Sequence, residues 1–111
     1  MFPDREPQEL PLNHAVFHCF YDIPAKPQVP SIHAALQHQA TGGTSERLDC
    51  QEPHFRGIVD DKGRLMVIIC HNTDLGDGWE RAGVSEYYFR EFSQKKAYPM
   101  GVNILVYALT N

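Results

Sequence analysis

Leu65-Met66-Val67-Ile68-Ile69-Cys70 is an unbroken apolar run between polar flanks, and it predicts a strand covered on both faces. Just before it, Phe55-Arg56-Gly57-Ile58-Val59 and the turn Asp60-Asp61-Lys62-Gly63 complete a β-hairpin. Gly63 supplies the positive φ that short hairpin loops need. From Gly83 to Lys96, Val84, Tyr88 and Phe92 recur at helical spacing, with Ser85 as the capping residue. The tail Val102 to Leu109 is apolar at nearly every position. Its propensity favours a strand, while Ala97, Gly101 and Ala108 allow a buried helix begun or interrupted near Pro99.

The first half is less regular. Residues 1–12 carry Pro3, Pro7 and Pro11 and predict an extended arm. His14 to Tyr21 is compact and apolar, and its length fits either a helical turn or a strand. Pro24, Pro27 and Pro30 force irregular backbone from Asp22 to Pro30. Ser31 is a natural N-cap for a short helix through His38, ended by Thr41-Gly42-Gly43-Thr44-Ser45. The chain thus divides into the arm, a long irregular excursion over 22–50 with little core material, and a core over 55–111.

Composition narrows the function classes. The chain has 111 residues and a net charge of −4. Its basic residues form no cluster longer than Lys95-Lys96, which reads as a solvated helix face, so nucleic acid is not an expected partner. Nothing approaches the roughly 20 apolar residues of a membrane span. Met1-Phe2-Pro3-Asp4-Arg5-Glu6 has neither the basic nor the apolar region of a signal peptide. The default compartment is therefore cytoplasmic, or exported if a longer native N-terminus carries a signal. Cys19, Cys50 and Cys70 are widely spaced and make neither a disulfide nor a zinc framework. Cys19 and Cys70 read as small buried hydrophobes.

The candidate chemistry follows the apolar strand directly. In His71-Asn72-Thr73-Asp74-Leu75-Gly76-Asp77-Gly78-Trp79-Glu80, three carboxylates and the only tryptophan share one turn, at the strand end where α/β sheets place ligands. Asp74, Asp77 and Glu80 suit either a hard cation, acid–base work or sugar hydroxyls, with Trp79 as a stacking face. They equally suit a capping turn at a helix start, with Trp79 plugging the core. His71 is the candidate for proton transfer, since imidazole titrates near neutral pH. His14 and His18 are four apart and would share a helix face, but no Glu completes a metal motif, and structural hydrogen bonds are expected of them. No metal or cofactor is expected. Tyr87, Tyr88, Phe89 and Phe92 lack basic interleaving and read as core.

Leu12-Asn13-His14-Ala15-Val16-Phe17, Gly57-Ile58 with Gly63-Arg64-Leu65, the Asp74–Glu80 turn, and Gly101-Val102-Asn103-Ile104 through Tyr107-Ala108-Leu109-Thr110 resemble the bacterial domain family DUF4159. More distantly, their order is similar to trehalose-utilisation-like proteins, which share the flavodoxin-like layout of class I glutamine amidotransferases. The resemblance implies an α/β fold, the C-terminal part of a flavodoxin-like three-layer domain, with a hairpin and closing C-terminal helices. It also implies that residues 1–111 are a partial domain, matched by a missing N-terminal half-domain or by self-association. The amidotransferase nucleophile elbow, Gly-x-Cys-x-Gly, occurs around none of the three cysteines. The expected function is therefore a non-catalytic module that binds a ligand or a partner. Its recognition surface is the turn 71–80, with His14, Asp74, Asp77, Trp79 and Glu80 contacting a small polar ligand. The alternative is a hydrolase on a carbohydrate or related substrate, with His71 as base and Asp74 and Asp77 beside it.

Overall fold

The hairpin organises the fold. In the computed structural model, which describes residues 5–47 and 51–110, β2 (His54–Val59) and β3 (Leu65–His71) pair antiparallel from His54↔His71 to Val59↔Leu65. Asp60 sets the turn: its Oδ1 accepts the Lys62 and Arg64 amides at 2.9 and 2.8 Å, and Gly63 follows at φ 82°. From Gln8 the arm is held to the sheet, because β1 (Gln8–Glu9) adds to the other side of β2; residues 1–4 lie outside the described residues. The sheet is three-stranded and antiparallel, in the order β1-β2-β3.

Phe55, Ile68 and Cys70 face the core, where the Phe55 ring meets Phe17 edge-on at 5.5 Å. The expectation that β3 is covered on both faces is only half met. Met66, left without a partner at the register shift, and Ile69 are each 40% exposed. The reason is that the packed elements lie on one side of the sheet.

Ala15–Phe17 forms a 3₁₀ turn that buries Val16 and Phe17. The predicted Ser31 cap is present: its Oγ accepts the Ala34 amide at 3.2 Å and starts α1 (Ile32–Gln37). Residues 22–30 are irregular as their prolines require, yet the excursion is not poor in core. Ile23, Val29, Ile32 and Ala35 are buried, and the expectation of little core material there is corrected. Asp49 and Cys50 lie outside the described residues.

After β3 come α2 (Leu75–Glu80) and then α3 (Glu86–Tyr88), which starts where Ser85 Oγ accepts the Tyr88 amide at 3.3 Å. From there α3 runs into a π-helical segment (Phe89–Ala97) and α4 (Tyr98–Thr110). The tail is the closing helix that the family resemblance implies, not the strand that propensity favours. Pro99 explains the winding. It has no N–H to donate, its ring crowds the carbonyl four residues back, and the helix changes register immediately before it. The Tyr98 amide accordingly bonds Ser93 O, five residues earlier.

Two close approaches seat α2 on this long helix. A Cβ at Gly78 would lie 2.4 Å from Ala97 Cβ, and buried Ser93 donates its hydroxyl to Gly78 O at 2.6 Å. The architecture is mixed α/β, an antiparallel sheet with helices closing one face.

Candidate functional site

The 71–74 corner is a hydrogen-bond hub. Asn72 adopts φ 58°, a left-handed conformation that asparagine tolerates better than most residues. Its Oδ1 accepts the Glu46 amide at 3.1 Å, and its Nδ2 donates to Ser45 Oγ at 3.0 Å. Thr73 Oγ1 accepts the Val29 amide and donates to Pro27 O, both at 2.9 Å, and Asp74 N donates to Val29 O at 2.6 Å. Gln28 Nε2 closes the knot by donating to Asn72 O at 3.1 Å. The strand end thereby fastens the proline-rich 27–31 segment, whose own prolines supply no donors.

The carboxylates of the turn serve the same end. Asp74 caps α2, its Oδ1 accepting the Asp77 amide at 2.9 Å. Asp77 reaches to a different helix, where its Oδ2 accepts the Ile32 amide at 3.0 Å. Burial pushes the Asp74 carboxyl up from its ordinary range. The Asp77 hydrogen bond works against that shift, and the nearby charges of Asp77, Glu46 and Glu80 add to it. Glu80 itself is exposed at the end of α2. Among the described residues, no group of three His, Cys, Asp or Glu side chains is placed to hold a metal ion.

His71 lies across the ladder from His54, with ring centroids 6.0 Å apart. His54 Nδ1 is 3.0 Å from Glu9 Oε1, and Glu9 also accepts from Lys26 Nζ at 2.6 Å. Burial opposes ionisation of Glu9, but the Lys26 and His54 hydrogen bonds outweigh it and hold its carboxyl below the usual range. None of the five principal cavities is walled by His71, Asp74 or Asp77.

His14 belongs to another neighbourhood. Its Nδ1 accepts the Val16 amide at 3.0 Å, capping the 3₁₀ turn, and its ring lies 5.6 Å from Tyr107. Burial pulls its pKa down, which suits a ring nitrogen that must stay unprotonated to accept. His18 sits between Asp22 and Leu12 O, so the two histidines have separate partners.

Trp79 is neither a core plug nor an isolated stacking face. Its Nε1 donates to Ala97 O at 2.7 Å, yet the side chain is 45% exposed. With Tyr98, Gly101, Val102, Ile104 and Leu105 it lines a shallow apolar groove of about 500 Å³. Gly101 makes the groove possible, since a Cβ there would approach Trp79 Nε1 to 2.9 Å. Sequence reasoning named Trp79 but not its groove partners on α4. The signal was available: no charged residue occurs between Ala97 and Thr110.

Cys19 and Cys70 are half-buried against the core, and burial pushes the Cys70 thiol up to about 11, as expected of an inert thiol.

The fold and site define a small mixed α/β unit with a capped strand-end turn. The chain matches the model of the family described as Domain of unknown function (DUF4159) over residues 1–109, and it belongs to that family. No curated protein and no solved structure matches it. No helix among the described residues is long and apolar enough to cross a membrane.

Proposed function

We propose that this chain is a binding module, non-catalytic in isolation, that docks a second polypeptide along the outer face of α4. The observation that carries this reading is that α4 has no charged residue and turns an apolar face outward as well as inward. Met100, Asn103 and Tyr107 face the interior, while Tyr98, Gly101, Val102, Leu105 and Leu109 follow one another at helical spacing outside. Leu105 is 64% exposed and Leu109 84%. A surface helix ordinarily turns a charged or polar face to solvent, and a contiguous exposed apolar patch in its place marks an interaction surface. Trp79 extends the patch, so the turn 71–80 contributes its tryptophan to recognition while its aspartates hold the fold.

The partner we infer is the complementary part of a flavodoxin-like three-layer domain. Such a part would add sheet beside β3, which is the last strand of the sheet, and cover α4. The hydrolase alternative needs His71, Asp74 and Asp77 on one open site. It has no observation of its own, because both aspartates are engaged by backbone amides.

The test is site-specific photo-crosslinking from positions 105 and 109 in the native host, read by mass spectrometry. The expected product joins α4 to a polypeptide of strand-rich α/β sequence; Leu109→Asp removes the crosslink made from position 105, and Leu105→Asp the one made from position 109, without lowering the melting temperature. Crosslinks only between copies of this chain would replace that partner with self-association. No crosslink at all would overturn the docking surface.

A further inference from the structure

A second cavity suited to a ligand lies away from both the turn and the α4 groove. A cavity of about 590 Å³ opens between the proline-rich 21–28 segment and the π-helical segment. Its walls are apolar at Tyr21, Ile23 and Pro99, and they include three lysines, Lys26, Lys95 and Lys96. That concentration of positive charge stands out on a chain whose net charge is −4.

The three lysines are not equivalent. Lys26 is already paired with Glu9 at 2.6 Å, and Lys95 lies 3.4 Å from Glu91 on an exposed helix face. Asp22, the carboxylate on the cavity rim, is paired with His18. Lys96 is half-buried, contrary to the expectation that the Lys95-Lys96 pair is solvated. Its Nζ donates to Gln28 O at 3.1 Å and sits 5.5 Å from the centre of the Phe92 ring. Among the described residues it has no carboxylate partner. An ammonium has three donors, so one carbonyl leaves Lys96 with donors to spare for a ligand in the cavity.

We infer that this cavity binds a small molecule bearing a carboxylate or phosphate group, which Lys96 anchors and the proline- and tyrosine-lined wall covers. Burial lowers the Lys96 pKa, with the Glu91 charge opposing and the Lys95 charge adding to the shift, and an arriving anion would relieve this. The site is independent of the α4 docking surface and stands or falls separately from it.

The experiment is titration of the full chain with benzoate and, separately, with inorganic phosphate, followed by amide chemical-shift changes at Gln28, Lys95 and Lys96. Saturable binding in the millimolar range is expected for one or both probes. Tighter benzoate binding assigns a carboxylate on an apolar body, and tighter phosphate binding assigns a phosphate. Lys96→Gln should weaken binding by about tenfold or more while leaving the folded spectrum intact, and Lys96→Arg should restore most of it. Lys95→Gln should weaken it by less, through screened charge alone. If neither probe saturates on the folded wild-type chain, or if Lys96→Gln binds as well as wild type, the site does not exist. Should Lys96→Gln fail to fold, the Lys96→Arg and Lys95→Gln titrations still decide. Shifts confined to residues outside the cavity would then overturn the assignment.

Discussion

Asp77 caps a helix that is not its own: seated in the first turn of α2, it presents Oδ2 to the amide of Ile32 at the start of α1. One side chain thus ties the strand-end turn to a segment 45 residues earlier. Replacing Asp77 with Ala removes a charge-assisted acceptor and frees a part-buried amide, and we expect a loss of about 1–2 kcal/mol. Asp77→Asn keeps a side-chain oxygen and should lose less than half of that. Urea denaturation of the two variants measures the difference. Equal stability of Asp77→Ala and wild type would free the carboxylate for chemistry after all.

Asp74 gives a prediction with the opposite sense. Its carboxyl is raised by burial and by the charges around it, so the folded chain holds that proton more tightly than the unfolded chain. Stability from this group therefore increases as pH falls through its folded value, and it is fully present below the ordinary carboxylate value of about 3.9. At neutral pH the ionised form is under strain from Asp77, Glu46 and Glu80. Asp74→Asn retains the capping oxygen without the charge. It should equal or exceed wild type in melting temperature at pH 7, and lose that advantage on acidification. Asp74→Ala should fall below both, by about 1 kcal/mol.

His14 titrates the other way. Burial lowers its pKa, so the unfolded chain takes up the proton first as pH drops. The stability it contributes is complete above the ordinary imidazole value of about 6.5, and is lost as pH falls from there through the lower folded value. His14→Asn can still cap the Val16 amide and cannot titrate. Its melting temperature should therefore decline less than that of wild type between pH 7 and pH 5.

These groups show how much was legible beforehand. The hairpin and the Ser31 and Ser85 caps follow from local pattern, because turn glycines and capping hydroxyls act within a few residues, whereas the closing helix runs against local propensity and is implied only by the family resemblance. Asp77 did not announce that it would serve Ile32, and Gln28 and Thr73 did not announce the knot they form. Those bonds span 44 to 46 residues, and no local spacing encodes them. The buried 22–50 contacts were missed for the same reason, since isolated Val29 and Ile32 carry no periodicity. The open face of β3 and the half-buried Lys96 are likewise properties of what packs nearby.

Asn103 offers the sharpest test of a polar group in the core. It is fully buried in α4, its Oδ1 accepts the Tyr21 amide at 2.8 Å, and its Nδ2 donates to Tyr21 O at 2.9 Å. The side-chain amide thus pairs with the Tyr21 backbone in both directions. Asn103→Leu is nearly equal in size but leaves both backbone groups unpaired, and should cost about 2–4 kcal/mol. Asn103→Asp keeps the acceptor but buries a charge, and should regain stability as pH falls. Thermal unfolding at pH 7 and pH 4 separates the two variants.

The paired glycines of α2 discriminate packing from propensity within a single helix. Gly76 is exposed, and a Cβ there would meet only Asp74 Oδ1 at 3.6 Å, an ordinary contact. Gly76→Ala should therefore stabilise the chain by about 0.5–1 kcal/mol, the helix-propensity difference. Gly78 faces the π-helical segment, where the added Cβ would sit 2.4 Å from Ala97 Cβ and 3.2 Å from Val29 Cγ1. Neither neighbour is the far end of a flexible side chain, so the helices must part, and Gly78→Ala should cost about 1–3 kcal/mol despite its better propensity. Separation would also strain the Ser93–Gly78 hydrogen bond. If Gly78→Ala proves as stabilising as Gly76→Ala, α2 does not pack on the long helix at this distance. The combined variant Gly78→Ala with Ala97→Gly restores the space, and it should recover most of the loss.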